Sequence, residues 1–394
     1  MAVLASAVIA ISSVAGVVAS RYIKDIPALT SVVTSPGNAT TPPAPGSLPW
    51  PPTGQGALAI EGLGQVAAFG NETSPAPIAS TTKVMTAHLI LQHHPLKPGE
   101  RGPSVTMTSA DVERYQQAIM RDESAIEVRE GEVLTEYQLL QGLLIASANN
   151  FAEILAGWDA GSSGAFVAAM NAEGQRLGMT HTHFEDASGF SANTTSTAGD
   201  LLTLAQAAMA NPTFAEIVAQ KSTVLPIVGE VANTNTLLKD PGVVGIKTGE
   251  TDEAGDCLVF AADLQTPAGT KRAYGVVLGQ PDRATVFAAS RDLLRAAPSW
   301  ITTMNVVAQG EKVGAVGSAW GAVTDVVAAG DAEVTAWAGT AVTTQVTLDH
   351  LEAPIAAGAT VGTLTVTAGS QQLSIDVVAA GAIAEPGIGW RITR

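Results

Sequence analysis

The chain has 394 residues, 46% of them apolar, enough to bury the cores of two or three domains. Its formal charge of −16 and pI near 4.7, with no Lys/Arg-rich run, argue against nucleic acid and against electrostatic docking on anionic headgroups, since both need a basic face to displace counterions. The lone Cys257 excludes an internal disulfide, and its place beside Leu258, Val259 and Phe260 reads as a small core residue.

Residues Ala2 to Ser20 carry no charge, and as a helix they reach roughly 28 Å, close to the thickness of a bilayer's hydrocarbon core. A membrane anchor, or a secretory signal if cleaved, is therefore expected over residues 1–20, although Arg21 and Lys24 follow the stretch rather than precede it. Residues 21–55 are dense in Pro, Ser, Thr and Gly, as in Thr41-Pro42-Pro43-Ala44-Pro45, and read as an extended linker. Strand and helix signals mix over 56–298. A hairpin is expected from Ala57–Ile60 and Gln65–Phe69, and helices over 83–94, 135–157, 197–210 and 285–296. Strands are expected over 243–247, 257–262 and 272–278. Helices bracketed by strands from both ends imply an α/β sandwich around an antiparallel sheet. Over 299–394 alternating strands dominate, as in 333–337, 342–348 and the pair 361–367 and 372–378, which reads as a small all-β module.

Three short strings carry the chemistry. Ser80-Thr81-Thr82-Lys83 opens the helical run at 83, so Ser80 is expected at a helix start with Lys83 one turn on and within reach. A serine hydroxyl becomes a useful nucleophile only when a base takes its proton, and lysine serves as that base only if burial or a neighbouring cation lowers its pKa. Lys247 is the candidate neighbour. Ser147-Ala148-Asn149 follows the apolar run 139–146 and offers a proton-relay hydroxyl and a carboxamide for a substrate backbone group. Ser191-Ala192-Asn193 matches the same pattern, but a Gly/Ser/Thr-rich surrounding favours Ser147, whose position a packed helix fixes. Lys247-Thr248-Gly249 closes the strand from Val243; its cation and hydroxyl suit a terminal carboxylate, Gly249 permits close backbone approach, and the N–H groups of Ser80 and Glu250 suit an oxyanion.

With their flanks, Ile78 to Thr86, Leu177-Gly178-Met179 leading to Asp186-Ala187-Ser188-Gly189, and Gly245 to Asp252, these strings resemble the D-alanyl-D-alanine carboxypeptidases, the low-molecular-weight penicillin-binding serine peptidases. The β-rich tail resembles that family's second domain through Leu351-Glu352-Ala353-Pro354-Ile355 and residues 358–362. The resemblance implies a transpeptidase/β-lactamase-like α/β catalytic domain followed by a small all-β domain. It implies removal of the terminal D-Ala from peptidoglycan pentapeptides through an acyl-enzyme on Ser80. Lys83 becomes the base, Ser147 the relay, Asn149 a substrate contact, and Lys247 with Thr248 the carboxylate anchors, Gly249 and Glu250 completing the binding strand. No cofactor or metal is implied; the expected partners are a stem peptide ending in D-Ala-D-Ala and β-lactams, at an extracytoplasmic membrane tethered by the N-terminal segment. Two departures stand out: Asn150 occupies a position where an acidic residue often follows, and Glu250 puts a negative charge beside a carboxylate site. With the sequence ending at Trp390 to Arg394, the C-terminal amphipathic anchor of some relatives is not expected here, and the N-terminal segment is expected to serve instead.

A β-lactamase of the commonest class needs a Glu-x-x-Leu-Asn string, and none lies between Asn150 and Val244. A DD-endopeptidase acting on cross-links and a non-catalytic penicillin sensor remain alternatives. His93-His94 and His181-Thr182-His183 lack the His-Glu-x-x-His context of a zinc peptidase.

Overall fold

In a computed structural model that describes residues 14–394, strands from opposite ends of the unit Pro45–Ile301 meet in one antiparallel sheet. The strands are β1 Gln55–Ile60, β2 Gly64–Phe69, β3 Val243–Thr251, β4 Gly255–Thr266 and β5 Gly269–Gln280, ordered β3-β4-β5-β1-β2. Alternation along β4 serves two cores at once: Cys257, Val259 and Ala261 face the larger helical core, whereas Leu258 and Phe260 face the opposite side. Gly275 is paired with Phe260, and a Cβ there would lie 2.0 Å from the Phe260 ring, so the absent side chain is filled by the aromatic.

Five helices matter for the site: α1 Lys83–His93, α2 Glu136–Leu144, α3 Asn149–Ala160, α4 Ala198–Met209 and α5 Arg283–Ala296. Every residue of α1 from Lys83 to Leu91 is buried, as expected of a helix enclosed on all sides. It packs against α2, α3 and α4, and α4 in turn lies on β1 and β5. Thr197 caps α4 by accepting the Asp200 N–H at 3.3 Å. On the other face of the sheet, α5 covers Leu258, Phe260 and Val277 with Val286, Phe287 and Leu293. The α/β sandwich with an antiparallel sheet is the fold that forms.

The second unit contains Thr302–Arg394 and the described residues 14–44. Its seven-stranded sheet runs in the order Thr30–Val33, Lys312–Gly317, Val323–Ala328, Gln371–Ala379, Thr360–Ala368, Ala341–Leu348, Ala39–Thr40. The extended linker expected over 21–55 is thereby corrected. Residues 30–33 pair with 314–317, residues 39–40 pair with 341–342, and the buried Thr41 hydroxyl donates to the Trp337 carbonyl at 2.9 Å. Proline density lowers the apolar content of this stretch but leaves short edge strands available, where missing N–H groups are tolerated. The two edge strands are joined by residues 34–38, which reach about 20 Å when extended, whereas a flat sheet of this width would separate them by about 29 Å. The sheet must therefore curl so that its two edges approach. The tail also ends in a short helix, Ile388–Thr393, which the strand pattern does not announce.

The membrane segment expected over 1–20 falls mostly on residues 1–13, outside the described residues. Residues 14–22 are helical, and among the described residues no helix is long and apolar enough to cross a membrane.

Candidate active site

Ser80 sits in a single 3-10 turn, Ala79–Thr82, that runs directly into α1. The Thr81 hydroxyl donates to the Ile78 carbonyl at 2.6 Å and the Thr82 hydroxyl to the Ala79 carbonyl at 2.8 Å, which fastens the turn locally. Ala79 has φ of +45°, a left-handed conformation that costs a non-glycine residue on the order of 1 kcal/mol and persists only where the surroundings hold it. Two glycines do so. A Cβ on Gly189 would lie 1.9 Å from the Ala79 oxygen, and a Cβ on Gly249 would lie 2.9 Å from the Ser80 nitrogen and 3.0 Å from the Thr81 nitrogen. The close approach expected of Gly249 thus brings β3 against the serine's own turn. The loop carrying Gly189 is tied by Asp186, which accepts from the N–H groups of Gly189 and Ser191 at 2.6 and 2.7 Å. Ser191 and Asn193 belong to this loop, where the Ser191 hydroxyl accepts the Asn193 N–H at 3.2 Å.

Lys83 is fully buried, and its Nζ donates to Ser80 Oγ at 2.6 Å, Asn149 Oδ1 at 2.6 Å and the Ser188 carbonyl at 2.8 Å. Burial lowers its pKa to about 7, against the opposing pull of the negative Asp186 and Glu123. Burial is the cause, and the Lys247 neighbour expected to supply the shift is itself the group pushed down. The pKa of Lys247 lies well below the ordinary lysine value through burial first, then the charges of Lys83 and Arg283.

The single helix expected over 135–157 is broken at the functional string. α2 stops at Leu144, Ser147 takes φ of +64°, and α3 restarts at Asn149. Tertiary contacts draw the chain out of helix: the Ala148 N–H donates to the Gly142 carbonyl at 3.1 Å and the Asn149 N–H to the Ser124 carbonyl at 2.7 Å. Gly142 makes the fold-back possible, because a Cβ there would lie 2.4 Å from the Phe151 ring. Asn149 Nδ2 donates to Glu123 at 2.7 Å, so the carboxamide bridges Lys83 and Glu123 rather than standing free. Asn150 points elsewhere, donating to the Ile126 carbonyl at 2.8 Å and accepting its N–H at 3.1 Å.

Lys247, Thr248, Gly249 and Glu250 lie within β3, which continues to Thr251 instead of closing at the string. Lys247 Nζ donates to the Thr248 carbonyl at 3.0 Å, and the Thr248 and Thr234 hydroxyls are 2.7 Å apart. Ser80, Ser147, Thr248, Gly249 and Glu250 line one cavity of about 500 Å³. Lys83, Asn149 and Lys247 are buried beside it. Sequence reasoning missed Glu123, the Ser188 carbonyl, Thr234 and Arg283, which also lines the cavity. Arg283 is the first residue of α5 and ion-pairs with Glu250 and with Asp256, the latter at 3.3 Å. The helix expected over 285–296 begins two residues earlier than its pattern indicates, so Arg283 falls outside the expected element, and nothing local announces its neighbour on β3. The histidines serve elsewhere, His93 and His94 both contacting Asp159 at 2.9 Å and His183 contacting Glu185.

A half-buried serine on a helix start, held by a fully buried lysine and facing an edge strand across a polar cavity, is an arrangement for acyl transfer. The family model for D-alanyl-D-alanine carboxypeptidase, peptidase S11, matches residues 54–282. Among curated proteins the chain is similar to D-alanyl-D-alanine carboxypeptidase DacD of Escherichia coli, 30% identical over 64% of this chain and 64% of that protein. It is also similar to DacB2 of Mycobacterium tuberculosis, 37% identical over 50% of this chain and 66% of that protein. The matched segments thus span a little under two thirds of those relatives' lengths. Among solved structures, penicillin-binding protein 5 from Haemophilus influenzae shares the fold, with a TM-score of 0.61 at 22% identity over 87% of this chain and 99% of that one. A D-alanyl-D-alanine carboxypeptidase from Mycobacterium tuberculosis aligns with a TM-score of 0.55 at 31% identity over 64% of this chain and 94% of that one. The chain belongs to the peptidase S11 family, the family of D-alanyl-D-alanine carboxypeptidases.

Proposed function

We propose that the chain is a serine-type D-Ala-D-Ala carboxypeptidase that removes the terminal D-alanine from peptidoglycan pentapeptides and is acylated by β-lactams at the same serine. The observation that carries this reading is the 2.6 Å contact between Lys83 Nζ and Ser80 Oγ, on an amine whose pKa is lowered to about 7. As a neutral amine Lys83 has two hydrogens and one lone pair. Asn149 Oδ1 and the Ser188 carbonyl take the hydrogens, which leaves the lone pair for the Ser80 hydroxyl. Ser80 Oγ then attacks the penultimate D-Ala carbonyl while its proton passes to Lys83. The N–H groups of Ser80 and Glu250 stabilise the developing oxyanion. Ser147, on the cavity wall, relays the proton to the departing amine as the C–N bond breaks, and water hydrolyses the ester to free Ser80. Lys247, Thr248 and Arg283 surround the position for the terminal carboxylate, while Asn149 holds Lys83 and meets the substrate backbone only by releasing Glu123. Such a substrate lies outside the cytoplasm, and the charge-free stretch before Arg21 suits a membrane tether.

Incubating the purified chain with a pentapeptide ending in D-Ala-D-Ala is expected to release free D-Ala. Release should fall at least about 10³-fold in Ser80→Ala and by about 10²- to 10⁴-fold in Ser147→Ala. Cleavage of a cross-linked muropeptide dimer without release from the pentapeptide would replace this reading with an endopeptidase.

A further inference from the structure

Four carboxylate side chains line the cavity, Asp122, Glu250, Asp252 and Asp256, and Arg283 is the one cation among its lining residues. Lys247 sits behind the wall at 1% exposure, with its Nζ on the Thr248 carbonyl. A ligand carboxylate entering the cavity therefore meets Arg283 first. That guanidinium is already engaged on two edges: Nε faces Asp256 Oδ1 at 3.3 Å, and Nη2 is held by Glu250 Oε2. The two partners differ in freedom. Asp256 is buried within β4, whereas the Glu250 side chain is 58% exposed and able to swing into solvent without disturbing β3. Arg–carboxylate recognition is strongest as a fork of two parallel N–H donors, so an incoming carboxylate gains the full fork only after Glu250 leaves.

We infer that Glu250 is a resident carboxylate that occupies Arg283 in the free protein and is displaced by the terminal carboxylate of the ligand. It thereby sets the affinity for carboxylate-ended ligands while leaving neutral-ended ones untouched. This inference rests on the proposed acyl-enzyme reading and adds a specificity-setting residue to it. An exposed ion pair contributes modestly, so its removal is expected to change acylation by about three- to tenfold rather than by orders of magnitude.

The test measures second-order rate constants for acylation by benzylpenicillin, which carries a carboxylate, and by its methyl ester, which does not. Glu250→Gln keeps the backbone N–H assigned to the oxyanion and is expected to raise the benzylpenicillin constant about three- to tenfold, several times more than it changes the ester constant. In an Arg283→Gln background the benzylpenicillin constant should be lower, and adding Glu250→Gln should bring no gain, since the carboxylate has nothing left to block. Thermal unfolding of each variant separates a folding defect from a change in selectivity. An unchanged or lowered benzylpenicillin constant in Glu250→Gln, an equal rise for both compounds, or the same gain without Arg283 would overturn the inference while leaving acylation at Ser80 standing. Absence of acylation of the wild type by either compound overturns the acyl-enzyme reading, and this one with it.

Discussion

Lys83 Nζ has three acceptors around it and, once neutral, two hydrogens to share among them, so its protonation state decides whether Ser80 is a donor or merely an acceptor. Burial sets the balance point near pH 7. Below it the ammonium donates to Ser80 and cannot accept a proton; above it the amine accepts. Acylation by a penicillin, followed from pH 5 to 9, is therefore expected to rise roughly tenfold per unit at low pH and to level off above a midpoint near about 7. A rate that falls over this range would refute Lys83 as the base. Lys83→Arg should abolish acylation at every pH, because a guanidinium does not deprotonate. Gly249 acts at the same level. A methyl group there would meet the Ser80 and Thr81 nitrogens at 2.9 and 3.0 Å, so Gly249→Ala is expected to cost about 1–3 kcal/mol and to slow acylation by moving the serine. Gly275→Ala gives the control. Its Cβ would strike the Phe260 ring on the far face of the sheet, and it should lower the unfolding midpoint comparably while the acylation rate of the folded fraction is retained.

Among elements, what was legible in the sequence depended on how local the cause was. Ser80 and Lys83 are one turn apart on one helix start, and backbone periodicity alone brings them together. The strands 57–60, 257–262 and 272–278 were readable from their apolar runs, although β3 to β5 each extend further than the runs do. The break between α2 and α3 was not readable. Leu- and Ala-rich sequence favours continuous helix there, and the break is imposed by the Ser124 carbonyl and the Phe151 ring, which arrive through tertiary packing. Arg283 was missed for the same reason, since it stands 33 residues from Glu250 and reaches it only because β3, β4 and β5 lie side by side. The negative charge that Glu250 puts beside the carboxylate site is paired with Arg283, a partner the sequence reading did not name.

For the molecule as a whole, every candidate site residue lies within Pro45–Ile301, while the stretch read as a linker supplies both edge strands of the second unit's sheet. Removing residues 1–44 exposes the backbone of residues 314–317 on one edge and 341–342 on the other. Differential scanning calorimetry of that truncation is expected to show a lowered or lost transition for the β-rich unit, with penicillin acylation kept within about twofold of the full chain. An unaltered thermogram would return residues 30–41 to the role of spacer. The acyl-enzyme itself is tested most directly by reacting the full chain with a labelled penicillin and mapping the adduct by mass spectrometry. One equivalent on the peptide carrying Ser80, and none on Ser80→Ala, is the predicted result. An adduct on another peptide, or equal labelling of Ser80→Ala, would contradict it.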